Sequence, residues 1–176
     1  NNYRGAGRGT IDDEQYEYIK KVLEENPDVK WTLAFMHQPL WVQEDTKRWK
    51  DVEKLFADRN HYVFAGHYHR YWKTDRNNGN YIALATTGGG SRLRGIAYGE
   101  FDHVVWVTMT EEGPILANLF LNGIWDENVV TEELVELVRN QPFPVKIEPI
   151  FTEEPNKNEF ATTVRVTNRA ESRMAV

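Results

Sequence analysis

Cysteine is absent from all 176 residues. That excludes disulfide frameworks, thiolate metal sites and cysteine nucleophiles. The same absence suits a reducing or an oxidising compartment and does not choose between them. Positive charge is scarce as well: 21 Lys and Arg stand against 27 Asp and Glu, a formal net charge of −6. This balance argues against a general nucleic-acid binder and against a polybasic membrane-surface protein. No apolar run reaches the roughly 18 residues a membrane helix needs. The chain opens Asn1-Asn2-Tyr3 without Met and without a signal-peptide pattern, so the expectation is a processed product or a piece of a longer chain. No internal repeat or low-complexity tract is present.

Apolar material, by contrast, is plentiful. Hydrophobic residues make up 40% and aromatic residues 12% of the chain, enough to bury a core and to exclude an intrinsically disordered chain. Asp12 with Gln15 reads as a capping-box variant, and Ile11 with Tyr16 as a hydrophobic staple. Tyr16, Ile19, Val22 and Leu23 then repeat at helical spacing until Asn26-Pro27 stops the helix. The apolar run 31–36, bounded by Pro39, predicts a buried strand. Trp49, Val52, Leu55 and Phe56 share one face of a second helix over about 46–59. The run 62–65, ended by Gly66, predicts another strand.

Helix, strand, helix, strand is the rhythm of an α/β unit. After residue 80 the β-rich runs 81–86, 104–109 and 115–121, separated by glycine clusters, predict an antiparallel meander. A short helix follows at 131–139, with Glu132 and Glu133 at its start and Arg139 near its end, as the helix dipole favours. From Gln141, Pro142, Pro144, Pro149 and Pro155 punctuate a stretch without helical period, and 162–167 alternates like a strand. The division expected is therefore 1–140, the main domain, and 141–176, a β-rich tail or the first strands of a further β domain.

The histidines carry the chemistry. His37 ends the first strand, and His67 and His69 follow the second in Gly66-His67-Tyr68-His69. In α/β sheets ligands bind beyond the carboxyl ends of strands, so neighbouring strands would bring all three imidazoles to one sheet edge. Gly66 is expected to supply the unusual backbone at the turn. An extended His-x-His segment would point both rings the same way. Imidazole is the commonest transition-metal ligand. His61 and His103 lack such context and read as structural.

Met36-His37-Gln38-Pro39 and Gly66-His67-Tyr68-His69, thirty residues apart and each directly after a strand, resemble the last two metal-binding motifs of the calcineurin-like metallophosphoesterase superfamily, which includes the purple acid phosphatases. The helix from Asp12 resembles the one that leads into the first of these strands. Thr87-Gly88-Gly89-Gly90 with Gly99-Glu100-Phe101 resembles the family's later glycine loop and strand. The similarity covers about residues 10–122. It implies an α/β fold, the C-terminal half of a four-layer α/β/β/α sandwich with a β-rich tail. It also implies phosphate-ester hydrolysis at a dinuclear centre of di- or trivalent ions, Fe, Zn or Mn, with His37 and His67 on one metal and His69 on the other. The family's earlier motifs, Asp-x-His, Gly-Asp and Gly-Asn-His, are absent. The resemblance therefore implies a site completed by a missing N-terminal half, with no catalytic residue in this chain and no activity in it alone.

Other residues are open to two readings. Arg92 and Arg94 follow the glycine loop, where they either meet a substrate phosphate or are simply solvated. Tyr68, Tyr71 and Trp72 flank the histidines as pocket walls or as packing. Asp102 and His103 are placed at the surface, with a supporting role near the metals as the alternative. Two further possibilities for the chain are a non-catalytic module on the same fold and a mononuclear three-His site that takes zinc or nickel adventitiously. The many Trp, the missing Cys and the β tail lean towards an exported bacterial protein.

Overall fold

A computed structural model describes residues 9–43, 47–140, 145–147 and 163–166. The chain is α/β. It divides into two compact units, Asn1–Val135 and Glu136–Val176. In the first, α1 (Asp13–Glu25) opens on the capping box expected of its sequence: Asp12 accepts from the Gln15 N–H at 2.8 Å and Gln15 accepts from the Asp12 N–H at 3.2 Å. At its other end the Arg59 guanidinium donates to the carbonyls of Leu23 and Asn26, so a cation meets the negative end of the helix dipole. Strand β1 (Thr32–Met36), helix α2 (Lys47–Phe56) and strand β2 (His61–Ala65) follow in the expected order.

The first sheet has the order β1-β2-β4-β3, where β3 is Trp72–Arg76 and β4 is Gly79–Ala83. Strands β1, β2 and β4 run parallel, and β3 returns antiparallel against β4. Strand β2 is central and buried at every position, which its unbroken apolar run requires. Trp49, Val52 and Phe56 of α2 are buried, with Trp49 and Phe56 ring to ring and Trp49 edge-on to Tyr81. Burial of three such side chains favours the fold by about 2 kcal/mol each.

Two expectations change here. The run 31–36 is a strand but not a buried one: β1 lies at the sheet edge and Phe35 is 73% exposed. The run 81–86 does not join a meander. Its first half is β4, paired in parallel with β2, because Asn77 and Asn78, both at positive φ (50° and 59°), turn the chain into a two-residue hairpin with β3. The meander consists instead of β5 (Val104–Met109), β6 (Pro114–Phe120) and β7 (Gly123–Asp126). Its Leu116 and partly buried Phe120, with Phe101 just ahead of β5, join one hydrophobic cluster with the first sheet.

Helix α3 (Glu132–Asn140) crosses the boundary between the units. In the second unit, β8 (Val145–Ile147) pairs antiparallel with β9 (Val164–Val166). The proline-punctuated positions 142, 144, 149 and 155, like the opening tripeptide, lie outside the described residues. No helix among the described residues is long and apolar enough to cross a membrane.

Candidate metal centre

The parallel register pairs Met36 with Ala65, the last residues of β1 and β2. The next residues, His37 and Gly66, continue the ladder for one bond, Gly66 N–H to His37 carbonyl at 3.0 Å. The two strands therefore deliver His37 and His67 to the same carboxyl edge. Their rings stand nearly perpendicular, 5.2 Å between centroids, with His37 Nε2 and His67 Nδ1 3.3 Å apart. Two ligands of one tetrahedral ion, each about 2.0–2.1 Å from the metal, lie about 3.3–3.4 Å from one another. Two imidazole nitrogens that face each other at that spacing fit a shared cation.

The turn that follows is not the extended segment expected. The Tyr68 N–H bonds back to the Gly66 carbonyl at 2.9 Å, across His67 at φ 74°. This is the pattern of the rare γ-turn with positive φ. His69 is also left-handed, at φ 55°. Gly66 is not among the positive-φ residues, and a methyl group added there would meet only the His37 carbonyl, at 3.9 Å. The unusual backbone belongs to the histidines themselves, and each non-glycine residue so held costs about 1–3 kcal/mol. Strain of that size, kept at two exposed imidazoles, favours a role for their placement.

His69 Nδ1 contacts the Gly90 carbonyl. A carbonyl only accepts, so Nδ1 carries the proton and Nε2 keeps its lone pair for a ligand, the arrangement that orients metal-binding histidines. Gly90 is in turn held through the start of its loop. Asp102 accepts from the Thr86 hydroxyl and from the Gly88 N–H, the latter at 2.9 Å. The His103 N–H donates to the Thr86 carbonyl at 2.9 Å, and the Thr87 hydroxyl to the His103 carbonyl at 2.7 Å. The Thr86 hydroxyl, before the Gly88 amide, holds the Asp102 carboxyl below its usual range.

The surface placement of His103 is thereby corrected: it is 6% exposed and serves the fold. Its Nε2 accepts from the Ala85 N–H at 3.1 Å and its Nδ1 faces Asn118 Oδ1 at 2.8 Å. His61 is structural in the same way, between Phe56 and Tyr81.

A cleft of about 440 Å³ adjoins the histidines, lined by His67, Tyr68, His69, Arg92 and Arg94 among others. Tyr68 is 46% exposed, whereas Tyr71 and Trp72 are buried. Arg94 donates through Nε to Glu100 at 2.8 Å, pairs through Nη2 with the same carboxylate, and lies over the Tyr98 ring. Arg70 meets that carboxylate at 3.1 Å. These contacts, the Arg94 hydrogen bond first, hold the Glu100 carboxyl down at about 2 against the effect of its burial. Glu100 was no candidate in the sequence; nothing marks a carboxylate as the partner of two arginines 30 and 6 residues away.

Among the described residues, no group of three or more His, Cys, Asp or Glu side chains gathers closely enough to hold a metal ion. His37 and His67 form a pair, and His69 is set apart by its bond to the glycine loop. No family model, no curated protein and no solved structure matches this chain, so its function rests on the residues themselves.

Proposed function

We propose that this chain is the C-terminal half of a dinuclear metallophosphoesterase domain, a four-layer α/β/β/α sandwich followed by a β-rich segment, and that the whole protein hydrolyses phosphate esters. The observation that carries the reading is the facing of His37 Nε2 and His67 Nδ1, 3.3 Å apart, at the carboxyl ends of adjacent parallel strands. These two would hold one ion, and His69 Nε2 would serve the other. When bound, such ions supply Lewis-acid stabilisation of charge on the phosphate oxygens. This chain's own part is to fix the three imidazoles: the β1–β2 register sets His37 against His67, and the Gly90 carbonyl sets the His69 tautomer.

The missing ligands and the missing half of the domain go together. A parallel sheet is ordinarily covered on both faces, yet β1 forms an edge with Phe35 73% exposed beside a cavity of about 560 Å³. Carboxylate ligands from a preceding half, docked along β1, would complete the centre.

The test compares the full-length protein with the 176-residue chain. The full-length protein is expected to bind metal and to turn over p-nitrophenyl phosphate, and the short chain to do neither stoichiometrically. His37→Ala or His67→Ala in the full-length protein is expected to lower kcat by about 100-fold or more, with loss of bound metal. Full metal content retained in both variants would sink the proposal.

A further inference from the structure

The cleft beside His67 and His69 holds more positive charge than its internal pairing uses. Arg70, Arg94 and Arg92 all line it, against one carboxylate, Glu100. Glu100 is 4% exposed and engages Arg70 and Arg94. Arg70 through Nε, and Arg94 through Nε and Nη2, are thereby paired with that carboxylate, and Arg94 also lies over the Tyr98 ring. Arg92 has no hydrogen bond or ion pair among the described residues and is exposed. The backbone that carries it is nonetheless held on both sides. The Ser91 hydroxyl accepts from the Leu93 N–H at 3.2 Å, Leu93 sits at φ 50°, and Glu100 fixes Arg94. An unpaired guanidinium on a constrained loop, over a cleft of about 440 Å³, has the form of a recognition element for an oxyanion. The volume lies within the range of small-ligand sites.

We infer that Arg92 selects substrates that carry a second anionic group, phosphate or carboxylate, on the part of the molecule beyond the scissile phosphate. The inference rests on the phosphoesterase reading for its chemistry: ions held by the histidines would supply charge stabilisation at the scissile phosphate, and a guanidinium across the cleft contributes only when the remainder of the substrate is also charged. Arg92 makes and breaks no bond. Arg92 is chosen over Arg94 because Arg94 already spends Nε and Nη2 on the Glu100 carboxylate, whose charge offsets its own.

The experiment uses the full-length protein with three substrates: p-nitrophenyl phosphate, whose leaving group bears no second oxyanion; pyrophosphate; and 2-phosphoglycolate. Arg92→Ala is expected to lower kcat/KM for pyrophosphate, 2-phosphoglycolate or both by about 10- to 100-fold, mainly through KM, and to leave p-nitrophenyl phosphate within about twofold. Arg92→Lys is expected to recover part of the loss. A change confined to pyrophosphate or to 2-phosphoglycolate identifies which oxyanion the cleft takes. An equal fall on all three substrates, or no fall on any, overturns the inference. If the wild-type protein hydrolyses none of them, the phosphoesterase reading fails separately. The cleft is then tested by calorimetric titration with pyrophosphate in the presence of a chelator. Affinity at least about tenfold weaker in Arg92→Ala supports anion recognition, and unchanged affinity overturns it.

Discussion

His61 and His103 have both ring nitrogens engaged by the protein, whereas His37, His67 and His69 are exposed and each keeps one nitrogen without a partner among the described residues. The difference is made by the backbone around them. His61 belongs to β2, the central strand, and His103 enters β5 beneath Tyr71 and Phe101. Their rings are packed as core residues are, and burial leaves no nitrogen unsatisfied. The other three stand just past strand ends, where the ladder stops and the ring faces outward. One residue type thus stands in two settings, and position relative to the strand end separates them.

That contrast is easiest to break through stability. His103→Ala strands the Ala85 N–H and the Asn118 carbonyl oxygen in the interior and leaves a void, at an expected cost of about 3 kcal/mol in urea unfolding. His61→Ala is expected to behave alike. His67→Ala and His69→Ala should stay within about 0.5 kcal/mol of the parent. His67→Gly should gain about 1 kcal/mol, since glycine adopts its φ of 74° without strain. Equal losses at 67 and 103 would erase the distinction.

A second comparison sharpens it from the glycines. Gly79, opposite His61 in the β2–β4 register, has no room for a methyl group: an added Cβ would run into the His61 ring, which Phe56 and Tyr81 hem in. Gly79→Ala is expected to cost about 2 kcal/mol. Gly66, beside the exposed histidines, has neither a clash nor a positive φ, so Gly66→Ala should be neutral or slightly stabilising by thermal melt.

How much of this was legible in the sequence follows from the range of the forces involved. Helix α1 was readable because a capping box is a four-residue signal, and β2 because a central strand must be apolar throughout. The delivery of His37 and His67 to one edge was readable from two strand ends. Strand β3 was not, since Lys73-Thr74-Asp75-Arg76 is polar; Lys73 is buried because Glu127, far along the chain, and Asp75 pair with its charge and Asn128 accepts a hydrogen bond from its ammonium. Its one local signal is the turn triplet Asn77-Asn78-Gly79. The γ-turn at His67 is a dihedral fact with no spacing signature. The Glu100 and Asp102 anchors join residues between 6 and 30 positions apart, beyond any local pattern.

The smallest expected effect is the most diagnostic of a built-in histidine. Asn118 Nδ2 donates to the Asp126 carbonyl at 2.9 Å, which turns Asn118 Oδ1 towards His103. Nδ1 of His103 must then carry the proton, and Nε2 must accept from the Ala85 N–H. A second proton on Nε2 would face that N–H directly. Burial accordingly pushes the His103 pKa below its usual 6.5, against the smaller upward pulls of the Asn118 bond and the Asp102 charge. The unfolded chain therefore takes up its proton first as pH falls. The stability contributed by neutral His103 is complete above about 6.5 and is lost as pH drops through the lower folded value. Glu100, held at about 2, loses its contribution only below its usual 4.5, so the two windows separate. An NMR titration of the His103 ring is expected to show a midpoint below 6.5, and urea midpoints should begin to decline below about pH 6.5. A His103 midpoint at or above 6.5 would show no effect of burial on that ring and dissolve the comparison.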